Sequence, residues 1–284
     1  MPLAKVKDIL SHATENKYGV AAINTVNFES IKAAILAAEA ENVPVIIQYY
    51  PGLNSHCPMS FIAFMAKEMA RNASVPVAVH LDHSETYEIA VSGIRYGFPS
   101  IMVDGSARTF EENLSLTRSV VKTASVFGID VEAELGHVGS GFNLDDYQNE
   151  DLYTDTAQAV EFAEKTGCHS LAVAVGNAHG NYKAKPNLDF KRITSLRKTL
   201  KIPLVLHGCS GIPDEQMQEA VNRGMSKFNV ATEYFKAMYD ASYDVIQEKG
   251  RSGNGVELVK DIIEPMSEFV RSKIKLLNPN KFSL

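Results

Sequence analysis

Cysteine is scarce: Cys57, Cys168 and Cys209 are the only three in 284 residues. The count is odd and no CxxC pair occurs, which argues against a disulfide framework or a structural zinc knuckle and fits a reducing compartment. No run approaches the roughly 18 apolar residues that a bilayer demands, and the opening Met1-Pro2-Leu3-Ala4-Lys5 lacks an apolar signal core. The expectation is a cytoplasmic protein without a membrane partner. Basic charge is not in excess either. Lys and Arg number 28 against 34 Asp and Glu, a net charge of −6, and the basic residues are scattered, so no nucleic-acid surface is expected. Any anion bound here must be held by local groups. Gly/Ser-rich and Pro-rich linkers are missing too, and with 45% hydrophobic and 22% charged residues the composition is that of one globular domain.

What the chain does contain is alternation. Eight short, mostly aliphatic runs at 20–24, 44–48, 76–82, 100–104, 130–135, 170–175, 203–207 and 227–232 are separated by stretches with apolar residues at helical spacing, such as 31–40. Runs rich in Val, Ile, Leu and Ala suit strands covered on both faces. Eight such units predict a single-domain (β/α)8 barrel over residues 1–284, with a doubly wound open sheet as the alternative. A short helix over 3–15 precedes the barrel and an extra helical segment over 255–277 follows it. Residues 136–153, with three glycines and four acids, read as a long lid-like loop, and 248–255 as a second mobile link.

Nearly every run ends in a polar residue: Asn24, Gln48, Asp82-His83, Asp104, Glu134, Asn177-Ala-His179, His207 and Asn229. In a barrel these positions share the rim where active sites lie. His83, His179 and His207 follow strands three, six and seven, and three imidazoles with an open position are a common ligand set for catalytic Zn²⁺. Asp104 and Glu134 could complete that set or hold a second ion. His12, His56 and His169 fall on helices or loops and receive no role; His80 reads as a hydrogen-bonded core histidine, and His137, in the loop, as solvent-exposed. No run ends in a lysine of the kind needed for Schiff-base chemistry. Glycine-rich turns follow the last three runs, at Gly180, Gly208-Cys209-Ser210-Gly211 and Asn229-Val230-Ala231-Thr232, and their backbone N–H groups suit a phosphate. Lys183 lies where it could also meet one.

The segments 79–83 (VHLDH), 100–106 (SIMVDGS), 132–136 (EAELG), 172–180 (AVAVGNAHG), 203–208 (PLVLHG) and 227–233 (KFNVATE) resemble, in order, those of the class II, zinc-dependent ketose-bisphosphate aldolases, the fructose-1,6-bisphosphate and tagatose-1,6-bisphosphate enzymes. The resemblance implies zinc on His83, His179 and His207, Asp82 as proton donor and acceptor for the C4 hydroxyl, and Asp104 and Glu134 near a second divalent ion. It also implies dihydroxyacetone phosphate against Gly180, the Gly208, Cys209 and Ser210 turn, and Asn229, Val230, Ala231 and Thr232, with a monovalent cation near the phosphate loop. Three departures bear on the substrate. Tyr49 and Tyr50 follow Gln48 where a small hydroxyl is usual; the lid acid is displaced, with Asp145 or Asp146 as replacements; and the tail motif is missing, leaving Arg271 or Arg251 for the distal phosphate. The implied reaction is cleavage of a ketose 1,6-bisphosphate into dihydroxyacetone phosphate and an aldehyde. The alternatives are a relative with another aldehyde half, such as an inositol-degradation intermediate, or a non-catalytic zinc- and sugar-phosphate-binding homologue. The extra C-terminal helix, if exposed, makes a homodimer the expected assembly.

Overall fold

The structure, a computed structural model, describes residues 2–284. Strand and helix alternate from the start: α1 (Val6–Asn16), β1 (Val20–Asn24), α2 (Phe28–Glu41), β2 (Val45–Tyr49), α3 (Met59–Arg71), β3 (Val77–Ser84), α4 (Tyr87–Tyr96) and β4 (Ser100–Val103). The second half runs α5 (Phe110–Val126), β5 (Asp130–Leu135), α6 (Asp145–Gln148), α7 (Thr156–Thr166), β6 (Ser170–Val173), α8 (Phe190–Thr199), β7 (Leu204–Leu206), α9 (Asp214–Asn222) and β8 (Met225–Val230). Then α10 (Thr232–Lys249), α11 (Gly255–Asp261) and α12 (Ile263–Leu277) close the chain. All neighbouring strands pair in parallel, and β1 pairs with β8 from Val20↔Lys227 to Ile23↔Val230, closing a (β/α)8 barrel rather than an open sheet.

Strand alternation sorts the residues into two sets. Outward residues such as Val45, Ile47, Val77, Val79, Leu81, Val131 and Ala133 join the main core under the helices. Inward residues become more polar along each strand. At the amino-terminal end, Val20, Ala22, Ile46 and Ala78 pack against Val6, Ile9, Leu10 and Ala13 of α1, which plugs the barrel. Two or four residues further along, the same inward rows present Asn24, Gln48, His80 and Asp82, all buried. The polar rim is therefore a continuation of the core.

Some boundaries differ from the sequence pattern for identifiable reasons. The first helix begins at Val6 because the preceding residues pair with β3: the N–H of Val77 donates to Pro2 O at 2.6 Å and that of Ala4 to Val77 O at 3.0 Å. Strand β6 stops at Val173 because side chains capture the next two N–H groups, Thr154 Oγ1 that of Ala174 and Asn177 Oδ1 that of Val175, each at 2.8 Å. The link at 248–255 is a tight turn over Gly250–Ser252 followed by Asn254, which caps α11. The C-terminal segment is two helices with a break at Ile262, and α12 buries Met266, Val270, Ile274 and Leu277 while packing on α2. The apolar face of α12 is used within the chain, so this helix supplies no argument for a dimer.

Candidate metal centre and active site

Asp82 and His83 are consecutive, and in a regular strand they would face opposite sides. The β3–β4 register shifts between Leu81 and Ser84, and His83 has φ of +30°, outside ordinary strand geometry. This bulge turns both side chains toward the rim, and strained backbone of this kind recurs at functional sites. The partners come from β5 (Glu134), from the residue just after β7 (His207) and from the loop after β6 (His179). The ligand-capable atoms of His83, Glu134, His179 and His207 all lie within 4.8 Å of one another. The ring of His83 is 4.9 Å from that of His179 and 4.7 Å from that of His207.

The far sides of two imidazoles are held by carboxylates. Nδ1–H of His83 donates to Asp104 Oδ2 at 2.8 Å, and Nε2–H of His207 donates to Glu132 Oε1 at 2.9 Å. These partners select the tautomers. They leave His83 Nε2 and His207 Nδ1 as lone pairs facing each other across 3.0 Å, a repulsive arrangement unless a proton or a cation lies between them. Glu134 Oε2 is 3.4 Å from His207 Nδ1, buried, and without a hydrogen-bond partner. Burial alone would lower the pKa of His83, but Asp82, the Asp104 hydrogen bond and Glu134 together raise it to about 10. His179 drops to about 4 through burial and repulsion from His83, and His207 falls well below its usual range for the same reasons and because of Lys227. Burial and the charge on Asp104 push Glu134 up to about 8.

Glu132 and Lys227 received no role from sequence. Both are fully buried inside the barrel, and Lys227 Nζ sits 3.0 and 2.9 Å from the two oxygens of Glu132. No strand ends in a desolvated lysine, as expected, but one strand carries such a lysine in its interior. Lys227 is mid-strand on the inward row of β8, which a search of strand ends misses, and its charge is spent on Glu132. His80 lies 3.8 Å from Glu132 and exchanges a hydrogen bond with Ser100, consistent with its expected core role.

Asp82 is enclosed by three side-chain amides. Asn24 and Gln48 donate to Oδ2 at 2.9 and 3.3 Å, and Asn229 donates to Oδ1 at 3.3 Å. Burial opposes its ionisation, but His83, His207, Lys227 and Asn24 outweigh it and hold the carboxyl below its ordinary range. Asp82 is therefore an anion aimed at the cavity.

The cavity above the rim measures about 630 Å³. One wall is formed by Gly180, Gly208, Ser210, Asn229, Ala231 and Thr232, as the glycine-rich turns suggested. Gly208 is obligatory, since a Cβ there would lie 2.0 Å from the carbonyl oxygen of Ala178. Several expected members are absent from the lining. Val230 points outward into the helix-facing core by strand parity. Cys209 is buried, with its thiol on Leu206 O and its N–H on Asn229 O. Gln48 lies beneath, against Asn24 and Asp82, and Lys183 is exposed outside the cavity. Asp104 lies outside the four-residue cluster, because its oxygens are engaged by His83 and Ser106. Of the two tyrosines, Tyr49 is core and Tyr50 lines the cavity.

The long loop is tied down rather than free of contacts. Gly141 N–H donates to His179 O and His179 N–H to Gly139 O, each at 2.8 Å, and buried Tyr147 bonds Ala184. Asp146 accepts from Ser140 N–H and Asn143, Asp145 is exposed, and neither lines the cavity. His137, expected in solvent, is half-buried and does line it. Arg271 pairs with Glu41 and Glu268, and Arg251 is exposed in the turn after α10. Arg108, after β4, is the one lysine or arginine on the cavity wall among the described residues.

Residues 4–281 match the family model of the class II fructose-bisphosphate aldolases. The chain belongs to that family. It is 38% identical over 274 residues to YdjI of Escherichia coli K12, covering 96% of this chain and 97% of that one. The crystal structure of the YdjI aldolase superposes with a TM-score of 0.85 at 36% identity, over 97% of each chain. A candidate fructose-1,6-bisphosphate aldolase from Coccidioides immitis gives 0.84 at 31% identity over 96% of each chain. The fructose-bisphosphate aldolase of Campylobacter jejuni gives 0.82 at 25% identity, covering 97% of this chain and 95% of that one. Membership accounts for the ordered motifs and for the rim, and makes the protein an aldolase, a lyase of sugar phosphates. No helix among the described residues is long and apolar enough to cross a membrane.

Proposed function

We infer that this aldolase is zinc-dependent and reversibly cleaves a ketose 1,6-bisphosphate of the fructose or tagatose type into dihydroxyacetone phosphate and an aldehyde such as glyceraldehyde 3-phosphate. The observation that carries the reading is the pair of imidazole lone pairs facing each other at 3.0 Å, beside an unpartnered buried carboxylate oxygen. Three imidazoles and one carboxylate are the donor set of a divalent transition ion, and they fit zinc. When bound, the ion supplies positive charge against the negative charge that develops on the departing three-carbon fragment.

The chain's own groups supply the rest. Asp82, held ionised by His83, His207 and Lys227 and by the Asn24 hydrogen bond, takes the proton of the C4 hydroxyl as the C3–C4 bond breaks, and returns it in the condensation direction. The wall of Gly180, Gly208, Ser210 and Thr232 meets the first phosphate at the amino terminus of α10, where first-turn N–H groups favour an anion. Arg108 follows β4, half-way round the barrel from β8, and supports binding of the distal phosphate in place of Arg271 or Arg251. A cytoplasmic enzyme acting as a homo-oligomer, with a second divalent and a monovalent cation near the site, completes the reading.

The test is a panel of ketose mono- and bisphosphates assayed for dihydroxyacetone phosphate release, with and without a chelator. Cleavage of a bisphosphate that stops on chelation and returns with zinc is expected, and Arg108→Ala should raise KM for bisphosphates more than for 1-monophosphates. Inactivity on every bisphosphate, activity that survives metal stripping, or borohydride trapping of a substrate adduct sinks the proposal.

A further inference from the structure

Cleavage of a ketose requires two proton transfers. As the C3–C4 bond breaks, its electron pair stays with C3 and the O4 proton passes to Asp82. The three-carbon fragment becomes dihydroxyacetone phosphate only when C3 gains a proton from another group. Asp82 is pinned by amides on both oxygens, next to O4. Asp145 and Asp146 do not line the cavity, and Asp104 is spent on His83 and Ser106. Arg108 keeps its proton at any working pH. Glu85 lies exposed at the solvent edge, and burial and the Glu85 carboxylate make the Tyr50 hydroxyl hold its proton more tightly than usual.

We propose that His137 is a catalytic residue that delivers and removes the proton at C3. This rests on the aldolase reading above, and it stands on the local geometry. Gly136, with φ of +80°, turns the chain at the end of β5, and a Cβ there would lie 2.6 Å from Thr154 Oγ1. The turn aims the next residue back over the rim instead of into solvent. On either side the backbone is fixed: His137 N–H donates to Leu152 O at 3.1 Å, and Val138 N–H to Glu134 Oε1 at 3.3 Å. The ring lines the cavity within electrostatic range of His179, and its Nδ1 is buried without a hydrogen-bond partner. In the step, a C–H bond forms at C3 with a proton that leaves the imidazolium, which becomes neutral imidazole and is reprotonated from water. Asp82 releases its proton to solvent, so the cycle balances without another reactant.

Exchange of the C3 proton of dihydroxyacetone phosphate with D₂O, followed by proton NMR on the zinc-loaded enzyme, isolates this step. His137→Asn is expected to slow exchange by about 10²–10⁴-fold. Cleavage read by ferricyanide oxidation of the nascent three-carbon carbanion, which bypasses protonation, should stay within about 3-fold of wild type. His137→Gln serves as a second variant should the first lose its zinc or its thermal transition. Exchange at the wild-type rate in both overturns the proposal, as does equal loss of exchange and ferricyanide-coupled cleavage, which marks a structural role. A wild-type enzyme that neither exchanges nor cleaves removes the aldolase reading itself, a result distinct from these.

Discussion

Asp82 gains its role from its neighbours more than from its identity. His83, His207 and Lys227 stabilise its anion, Asn24 adds a hydrogen bond, and the bulge at His83 lets two consecutive residues face one site. Asp82→Ala should cut turnover by about 10²–10⁴-fold while stoichiometric zinc is retained, read by steady-state assay and metal analysis; zinc lost in parallel would assign the effect to the metal site. The Glu132–Lys227 pair acts through His207, fixing Nε2–H so that Nδ1 stays free. Replacing both charges, as Glu132→Gln with Lys227→Met, is expected to weaken zinc binding by about 10–100-fold in chelator competition. Because a buried ion pair is weak support for stability, the melting temperature of the metal-free double variant should change little. A large fall in melting temperature with zinc affinity intact would show a purely structural pair.

At the level of elements, the ends of the barrel have different tasks. Helix α1 closes the amino-terminal end with aliphatic side chains, while the carboxyl ends of the strands carry the chemistry. Helix α12 lies on α2 at the periphery, away from the cavity. Met266→Ala, at a fully buried position of α12, should therefore lower unfolding stability by about 2–5 kcal/mol in urea titrations without altering zinc affinity or KM. Strand periodicity put Asn24, Asp82, Glu134, His207 and Asn229 at the carboxyl ends of the strands, and the barrel brings them to one rim, because a residue there faces the rim if its parity is inward. The same parity turns Val230 outward beside Asn229, a difference overlooked when 229–232 is taken as one phosphate-binding turn. Parity could not foresee His137, since that residue's direction depends on the turn at Gly136.

For the whole molecule, the crowded titratable groups predict a pH optimum for the metal-free protein. His83 rises from 6.5 to about 10 and Glu134 from 4.5 to about 8, so above pH 6.5 the folded state holds more protons than the unfolded chain. Stability must then fall as pH rises from about 6.5 to 10. His80 and His179 are depressed to about 3 and 4, so below pH 6.5 the folded state holds fewer protons and stability falls on acidification. Differential scanning fluorimetry of the stripped protein should show a maximum near pH 6.5. Zinc should blunt the alkaline loss, because it occupies the position of the His83 proton; a melting temperature flat from pH 6.5 to 10 would refute the arrangement. The net charge of −6 is no obstacle to an anionic substrate, since the positive field is local. By itself the sequence determined the eight-unit alternation, the polar strand ends and the family, because periodicity and ordered motifs are properties of short segments. Only the tertiary structure decided that Asp104 and Glu132 orient histidines, that Lys227 is neutralised in the barrel, that Arg108 replaces Arg271 and Arg251 on the cavity wall, and that His137 enters the site. Each of these depends on which groups from distant strands meet, and closure of the barrel sets that.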